Sequence, residues 1–252
     1  MVHRDPLPAG RGLARIRSAL WLALIVLGCG TLRPAMAQDV FELHLVLAFD
    51  VSASVNDTEF ALQRDGTARA FDDDTVRRAI RNAPGGIAVS VIQWSSIRQQ
   101  AMGLDWMVLR TEADIDLFSN AIAIMPRHLP GGGTMIHSGL EFASRQLDTA
   151  PGVARRRVID LSGNGRADDP DLLLDMRDRL VRDGVVINGL AVHEDISNLD
   201  TYFRNNVIGG AGAFVMTARN HDDFFEAMRL KLHREISGAI YSRARPQGHA
   251  RH

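Results

Sequence analysis

The chain has 252 residues, of which 46% are hydrophobic and 23% are charged, and its formal net charge is −1. This size and apolar content suit one α/β domain whose core is large enough to need no disulfides. They exclude collagen-like, coiled-coil and low-complexity chains. Since no basic face stands out, we expect no nucleic acid among the partners.

The N-terminal segment has the features of a secretory signal peptide. Arginines precede a short apolar run at 19–32, and small residues follow it, with Ala35 and Ala37 in an A-x-A arrangement. The run is short for a membrane span, so we predict cleavage after Ala37 and export to the periplasm or the medium. A retained anchor and a lipoprotein cut before Cys29, the only cysteine, are the alternatives.

Removal of residues 1–37 would take away five arginines and one aspartate. From 29 basic and 30 acidic residues, 24 and 29 would remain, which is a net charge of −5. The mature chain would then be mildly acidic and would contain no cysteine and no membrane span. We therefore expect an exported protein that relies on its core rather than on disulfides.

From residue 42 onward, strand-like and helix-like segments alternate. Short apolar runs bounded by polar or glycine residues predict strands, and 3.6-residue periodicity with a capping residue predicts helices. The predicted strands cover residues 43–49, 85–95, 99–109, 156–162, 185–192 and 212–218. The predicted helices cover residues 56–71, 74–83, 111–125, 136–147, 169–184, 198–207 and 221–237.

This alternation predicts an α/β fold with a doubly wound, mostly parallel central sheet and helices on both faces. The short step between residues 95 and 99 predicts one antiparallel edge strand. We expect the domain to cover residues 38–240 and to be followed by a basic, disordered tail at 241–252.

Polar side chains follow the first strand directly, in the stretch that begins with Asp50 and continues with Ser52 and Ser54. Residues two apart in extended chain point the same way, so one carboxylate and two hydroxyls can converge. Such oxygen donors suit Mg²⁺ or Mn²⁺ better than Zn²⁺. The alternative is a capped strand-to-helix turn, in which the serines bond backbone amides.

Two further stretches add to this motif. Thr134 follows three glycines at a helix start, and Asn164 with Gly165 follows a later strand. With these residues the sequence resembles the von Willebrand factor type A (VWA) domain. The metal-ion-dependent adhesion site (MIDAS) of that family combines D-x-S-x-S, a threonine at a G-G-T helix start and an aspartate in a T-D-G turn. The resemblance covers residues 42–240, and it is closest to a secreted bacterial subfamily of unknown function.

The resemblance implies a Mg²⁺ or Mn²⁺ site formed by five residues, namely Asp50, Ser52, Ser54, Thr134 and Asn164. In the family, the hydroxyls bind the metal directly and the aspartates act through water. An open coordination position takes a Glu or Asp of a protein partner. The family's T-D-G aspartate is Asn164 here, which keeps a carbonyl acceptor but loses the charge and puts the metal affinity in doubt.

Two more aspartates are candidates for supporting roles. Asp160 lies in the middle of a predicted buried strand and, by alternation, on the face of Ser162 and Asn164. A buried acid needs a partner, so Asp160 either lies behind the metal ligands or pairs with an arginine. Asp168 either compensates for the missing charge or caps the helix that begins at Pro170.

Three functions compete on these observations. The leading hypothesis is an exported, non-enzymatic binding module that holds a divalent cation and captures an acidic side chain of a protein partner. The second is a structural or interaction domain of the same fold whose metal site has decayed. The third is a metal-dependent phosphohydrolase. Aspartate-nucleophile phosphatases need a D-x-D motif, but the second position of that motif is Ser52 here. They also need a downstream lysine, and the only lysine in this chain is Lys231.

Overall fold

The computed structural model describes His3 and residues 38–193, 196–220 and 223–243, with side chains up to Gly238. Residues 4–37, which hold most of the predicted signal peptide, and residues 244–252 of the predicted tail lie outside the described residues. Within the described part of the chain, no helix combines the length and the apolar character needed to cross a membrane.

A six-stranded sheet forms the centre of the domain. The strands along the chain are β1 (Val40–Phe41), β2 (Leu43–Asp50), β3 (Ile87–Trp94), β4 (Gln100–Leu109), β5 (Val153–Ala154), β6 (Arg157–Gly163), β7 (Val185–Val192) and β8 (Val215–Ala218). The central sheet has the order β4-β3-β2-β6-β7-β8, and β1 pairs with β5 separately. All central pairs are parallel except β3 with β4. The predicted mostly parallel sheet with one antiparallel edge strand is confirmed.

Helices cover both faces of this sheet. They are α1 (Asp57–Asp72), α2 (Asp74–Arg81), α3 (Glu112–Ala123), α4 (Ile136–Asp148), α5 (Pro170–Arg182), α6 (Leu199–Tyr202), a π-helix (Phe203–Val207) and α7 (Phe224–Arg243). The helices α1, α2, α3 and α7 enclose one core, and α4, α5, α6 and the π-helix enclose the other. The predicted doubly wound α/β class is therefore confirmed.

Alternation along β2 divides its side chains between the two cores. Leu45 and Leu47 contribute to the core under α1 and α7, whereas Val46 and Ala48 contribute to the core under α4 and α5. Every residue of β2 is buried. A strand covered on both faces reads as a continuous apolar run, which is why the sequence predicts this strand so clearly.

Side-chain caps mark the starts of the first three helices. Asn56 caps α1 in a capping box with Glu59, and Thr111 caps α3. Asp73 caps α2, because its Oδ1 accepts hydrogen bonds from the backbone N–H groups of Thr75 and Val76. The last helix, α7, continues to Arg243, three residues into the segment predicted as a tail.

The helix predicted over 198–207 is two elements. A single turn of α-helix, α6, passes into the π-helix, in which Ile208 N donates to Phe203 O at 3.0 Å. Phe203 and Val207 remain fully buried across the wider turn. Arg177 of α5 donates to the carbonyl of Asn205 at 3.0 Å, which satisfies an acceptor that the irregular turn leaves open.

The order of strands reverses between β2 and β6. The chain leaves β2 toward α1 on one face and leaves β6 toward α5 on the other. In open α/β sheets, such a switch point opens a crevice at the carboxyl ends of the strands. Asp50 ends β2 and Gly163 ends β6, so the polar motifs of the sequence lie at this crevice.

A buried cluster of charged side chains joins β6 to α7. Lys231 is fully buried and forms ion pairs with Asp160 and, at 2.7 Å, with Glu235. Asn188 of β7 donates to the same Glu235 oxygen at 2.7 Å. The expectation that Asp160 pairs with an arginine is wrong, because α7 places the ammonium group of Lys231 over the middle of β6.

Two carboxylates share one ammonium group in this cluster. Burial and the neighbouring Glu235 raise the pKa of Asp160 to about 7, although Lys231 opposes both effects. Asp160 therefore holds its proton at pH values at which an exposed aspartate has lost it. With this proton on Asp160, the buried cluster contains one carboxylate charge and one ammonium charge, so no unbalanced negative charge is buried.

Because this pKa is higher in the folded state than in the unfolded state, protonation of Asp160 stabilises the fold below about pH 4. That contribution is lost as the pH rises toward about 7. Between pH 5 and pH 8, we expect the free energy of unfolding of the wild type to fall relative to Asp160→Asn by on the order of 2 kcal/mol. Urea unfolding of both proteins measures this, and a pH-independent difference would contradict it.

Candidate metal-binding site

Three loops meet at the carboxyl edge of the sheet. Loop 1 (residues 51–55) follows β2, loop 2 (129–135) precedes α4, and loop 3 (164–169) follows β6. The five predicted metal-site residues lie at the end of β2 or in these loops: Asp50, Ser52, Ser54, Thr134 and Asn164.

In loop 1 the chain turns back on the end of β2. Asp50 is only 1% exposed, and its Oδ1 accepts a hydrogen bond from Ser52 N at 2.7 Å. The hydroxyl oxygens of Ser52 and Ser54 lie 3.1 Å apart. Since Asn56 caps α1, the serines are not needed as helix caps. The turn thus places one carboxylate and two hydroxyls side by side.

Loop 1 is bound to loop 3 by an exchange of two hydrogen bonds. Ser54 Oγ donates to Asn164 Oδ1 at 2.6 Å, and Asn164 Nδ2 donates to Ser54 O at 3.2 Å. Asn164 is buried, with 4% of its surface exposed. Because the Ser54 hydroxyl gives its proton to Asn164, Ser52 is the donor in the contact between the two serines, which leaves one lone pair on Ser54 Oγ and the lone pairs of Ser52 Oγ available to another group.

Loop 2 is bound to loop 3 in the same reciprocal way. Thr134 N donates to Asp168 Oδ2 at 2.7 Å, and Asp168 N donates to Thr134 O at 3.1 Å. The cap of α5 is Asp169, whose Oδ1 accepts from Leu172 N at 3.0 Å, so Asp168 is free of the capping role considered for it. Among the described residues, the Thr134 hydroxyl has no hydrogen-bond partner.

Contacts between loop 1 and loop 2 complete the set. Ala53 N donates to Gly132 O at 2.8 Å. Arg127, which precedes loop 2, donates to Leu129 O of that loop at 3.2 Å and to Val55 O at 2.8 Å and Val51 O at 3.0 Å of loop 1. Each loop is thereby fixed to the other two. Sequence reasoning missed Arg127, because its acceptors in loop 1 are backbone carbonyls more than 70 positions away in the chain.

A second residue that was missed supports the ends of both central strands. Gln63 of α1 donates to Asp50 O at 3.1 Å and accepts from Ser162 Oγ at 2.5 Å. It is 2% exposed. The signal available in the sequence was a polar residue at helical spacing from Phe60 and Thr67, on the face of α1 that turns to the sheet.

The β3–β4 hairpin (residues 95–99) supports loop 2 from the other side. Ser95 Oγ donates to Gly133 O at 3.1 Å, and Gly133 N donates to Ser96 Oγ at 2.5 Å. Met135 N donates to Ser95 O at 3.0 Å. Gly132 lies so close to the Ser96 side chain that a Cβ atom there would collide with it. The predicted glycine loop is therefore a close-packed connection.

The five predicted site residues can each offer an oxygen atom as a metal ligand, and hard divalent cations prefer oxygen ligands. These groups comprise three hydroxyls, one amide carbonyl and one buried carboxylate, which fits Mg²⁺ or Mn²⁺ better than a metal that prefers nitrogen or sulfur. In the described residues, no group of three or more His, Cys, Asp or Glu side chains is arranged to hold a metal ion. Any metal site here therefore depends on the hydroxyls.

An open groove of about 840 Å³ adjoins the three loops. Its lining is partly apolar and includes Ala53, Val55, Phe60, Leu129 and Gly131. Ala53 belongs to loop 1 and Gly131 to loop 2, so the groove reaches both of these loops.

Solved structures that match this chain include a byssus matrix protein, a VWA protein and pilus proteins. Proximal thread matrix protein 1 from the mussel byssus has 18% identity and a TM-score of 0.58, over 77% of this chain and 47% of that chain. A VWA protein from Catenulispora acidiphila has 14% identity and a TM-score of 0.56, over 78% and 43%. The D319A mutant of the PilB minor pilin from Streptococcus sanguinis has 12% identity and a TM-score of 0.61, over 84% and 65%.

The resemblance to the VWA fold is thereby confirmed: the chain has a VWA-type α/β fold, with the polar loops at the switch point. The chain spans less than half of the byssus protein's length, and identities this low establish the fold alone. A family model matches residues 39–240, and the chain belongs to that family, the "Protein of unknown function (DUF1194)". A search of curated proteins gives no match.

The exchange between Ser54 and Asn164 predicts how the site responds to a restored aspartate. In Asn164→Asp, the new carboxylate cannot donate to Ser54 O and adds a second negative charge near Asp50. Without metal, we expect the free energy of unfolding to fall by about 1–2 kcal/mol. Urea unfolding in EDTA measures it, with Asn164→Ala as the variant that loses both bonds without adding charge. Equal stability of Asn164→Asp and the wild type would contradict it.

Proposed function

We propose that this protein is an exported binding module that holds Mg²⁺ or Mn²⁺ at the three loops and captures an acidic side chain of a protein partner there. The observation that carries the proposal is that loops 1, 2 and 3, which hold the three hydroxyls of the motif, are hydrogen-bonded to one another at the switch point. Ser52 and Ser54 lie side by side, and the proton of Ser54 is directed to Asn164.

The hydroxyls of Ser52, Ser54 and Thr134 would hold the ion, and Asp50 and Asn164 would orient them. The bound ion would supply a positive charge that attracts a carboxylate of the partner. The chain itself contributes one buried carboxylate, Asp50, which offsets part of that charge. Because Asn164 is neutral, we expect weaker metal binding than with an aspartate at this position. The difference should be about a few kcal/mol at most, because the high effective dielectric near a protein surface weakens the attraction between charges.

The structural relatives support a role in interaction outside the cell. One form of the byssus protein has a zinc-occupied MIDAS motif, with 17% identity to this chain. The pilus adhesin SpaC from Lactobacillus rhamnosus GG, 13% identical, has the same fold. The groove beside loops 1 and 2 offers space for the chain that flanks a captured side chain.

The position of Lys231 weighs against the phosphohydrolase. That chemistry would need a lysine at the switch point, whereas Lys231 is fully buried in ion pairs with Asp160 and Glu235. The sequence holds no second lysine. We therefore propose a binding function rather than an enzymatic one.

One observation favours the second candidate, a VWA-type interaction domain whose metal site has decayed. Asn164 donates to Ser54 O as well as accepting from its hydroxyl, so loops 1 and 3 are closed without a metal ion. An aspartate could make only one of these two bonds. The two candidates differ in whether the wild-type loops respond to metal at all.

Metal titration separates these candidates. With millimolar Mg²⁺ or Mn²⁺, we expect the melting temperature of the wild type to rise, because a ligand that binds only the folded state stabilises it. Thr134→Ala should abolish the rise, and Asn164→Asp should bind metal at least about tenfold more tightly. Calorimetry gives the affinities. If neither the wild type nor Asn164→Asp responds, the decayed site is the right description. If only Asn164→Asp responds, this one change removed the affinity.

Partner capture depends on the same ion. From an envelope extract of the exporting cell, we expect the immobilised protein to retain a partner in Mg²⁺ and to release it in EDTA. Thr134→Ala serves as the matched control, because it removes one proposed metal ligand whose hydroxyl has no hydrogen-bond partner among the described residues. Retention that EDTA and Thr134→Ala leave unchanged would contradict the metal-dependent mechanism.

A further inference from the structure

The tip of the β3–β4 hairpin lies at the edge of the proposed metal site. Ser95 and Ser96, which begin the hairpin loop, hold Gly133 through two side-chain hydrogen bonds. Gly133 precedes Thr134 directly. The tip residues Ile97 and Arg98 are therefore held next to loop 2, and both are exposed, Ile97 by 54%.

Arg98 has a backbone conformation that is unfavourable for arginine. The hairpin closes with Ser95 N donating to Gln99 O at 3.0 Å, around a three-residue loop whose last member has φ = 64°. This left-handed position is normally taken by glycine. The other described non-glycine residue with positive φ is Asn198, a type that tolerates this conformation far better than arginine.

The side chain of Arg98 gains no compensating contact inside the protein. It has no hydrogen-bond or ion-pair partner among the described residues. The other arginines near the loops are engaged: Arg127 donates to backbone carbonyls, and Arg166 of loop 3 lies 5.4 Å from the centre of the Tyr202 ring. A residue in a disfavoured conformation without an internal partner points to a role outside the folded chain.

We propose that Arg98 selects the partner, by pairing with a second carboxylate on the segment whose first carboxylate is captured at the metal site. This inference rests on the proposed function and names the partner class, a protein segment with two acidic side chains. The planar guanidinium group binds a carboxylate through two parallel hydrogen bonds. A glycine in its place would give the hairpin a better backbone but no such contact.

A displayed library tests the partner class. The full chain is used to select binders from a random dodecapeptide phage library in Mg²⁺, with elution by EDTA. For the wild type, we expect the eluted peptides to contain two acidic residues at a preferred spacing, and for Arg98→Gly one acidic residue without that preference. EDTA-eluted peptides with the same acidic content for both proteins would overturn the inference and leave the proposed function standing. No EDTA-eluted peptide at all would overturn both.

One selected peptide then isolates the contact. Replacing its second acidic residue by glutamine should weaken binding to the wild type roughly tenfold and leave binding to Arg98→Gly unchanged. This double-mutant cycle assigns the loss to one pair of side chains. Equal losses for both proteins would contradict the pairing. Arg182→Ala, which removes an exposed arginine from the end of α5, should behave as the wild type.

Thermal unfolding separates recognition from folding. Because glycine suits the left-handed position, Arg98→Gly should melt at or above the wild-type temperature, by up to about 4 °C. Arg98→Ala should lose the same selectivity but melt below Arg98→Gly. If selectivity is lost only in variants that also melt at a lower temperature than the wild type, Arg98 merely supports the hairpin, and the inference is wrong.

Discussion

The connections that leave β2 and β6 run to opposite faces of the sheet, and the candidate site depends on the gap that this leaves. Two parallel neighbours whose connections diverge cannot cover their own carboxyl ends with packed helices. Loops must fill the gap, and their polar backbone groups need partners. The reciprocal hydrogen bonds from Asn164 to Ser54 and from Thr134 to Asp168 meet that need with groups that the loops themselves supply.

The way the gap is closed also limits what the site can bind. Asn164 accepts from the Ser54 hydroxyl and donates to the Ser54 carbonyl without adding charge. These two hydrogen bonds join loops 1 and 3 without a contribution from a cation. An aspartate would leave Ser54 O without its donor and would raise the negative charge beside the buried Asp50. The same carboxylate would, however, attract a divalent ion more strongly. Stability without metal and affinity for metal are thus opposed at one position, and the chain has the residue that favours stability.

Much of the fold could be predicted because it depends on local patterns. Buried strands, capping boxes and the glycine loop are visible in short windows, whereas the π-helix after α6 depends on packing of Phe203 and Val207 that no local pattern specifies. The five motif residues could be predicted as a group from the resemblance. Gln63, Arg127 and the hairpin serines were missed, because each acts through a partner distant in sequence. Asp160 was recognised as a buried acid, but its partner Lys231 lies in another helix, beyond any local window.

The two polar regions of β6 differ in their exposure and in the groups that they contact. In the middle of the strand, Asp160 and Glu235 share the buried ammonium group of Lys231, which links α7 to β6. At the end of the strand, the hydroxyls keep lone pairs, and the hairpin exposes Arg98 in a disfavoured conformation. Because the two apolar cores provide the stability, the edge can carry groups that make few internal contacts at a cost that is small for the whole domain. Changes at the edge can therefore alter binding while the fold beneath them remains intact.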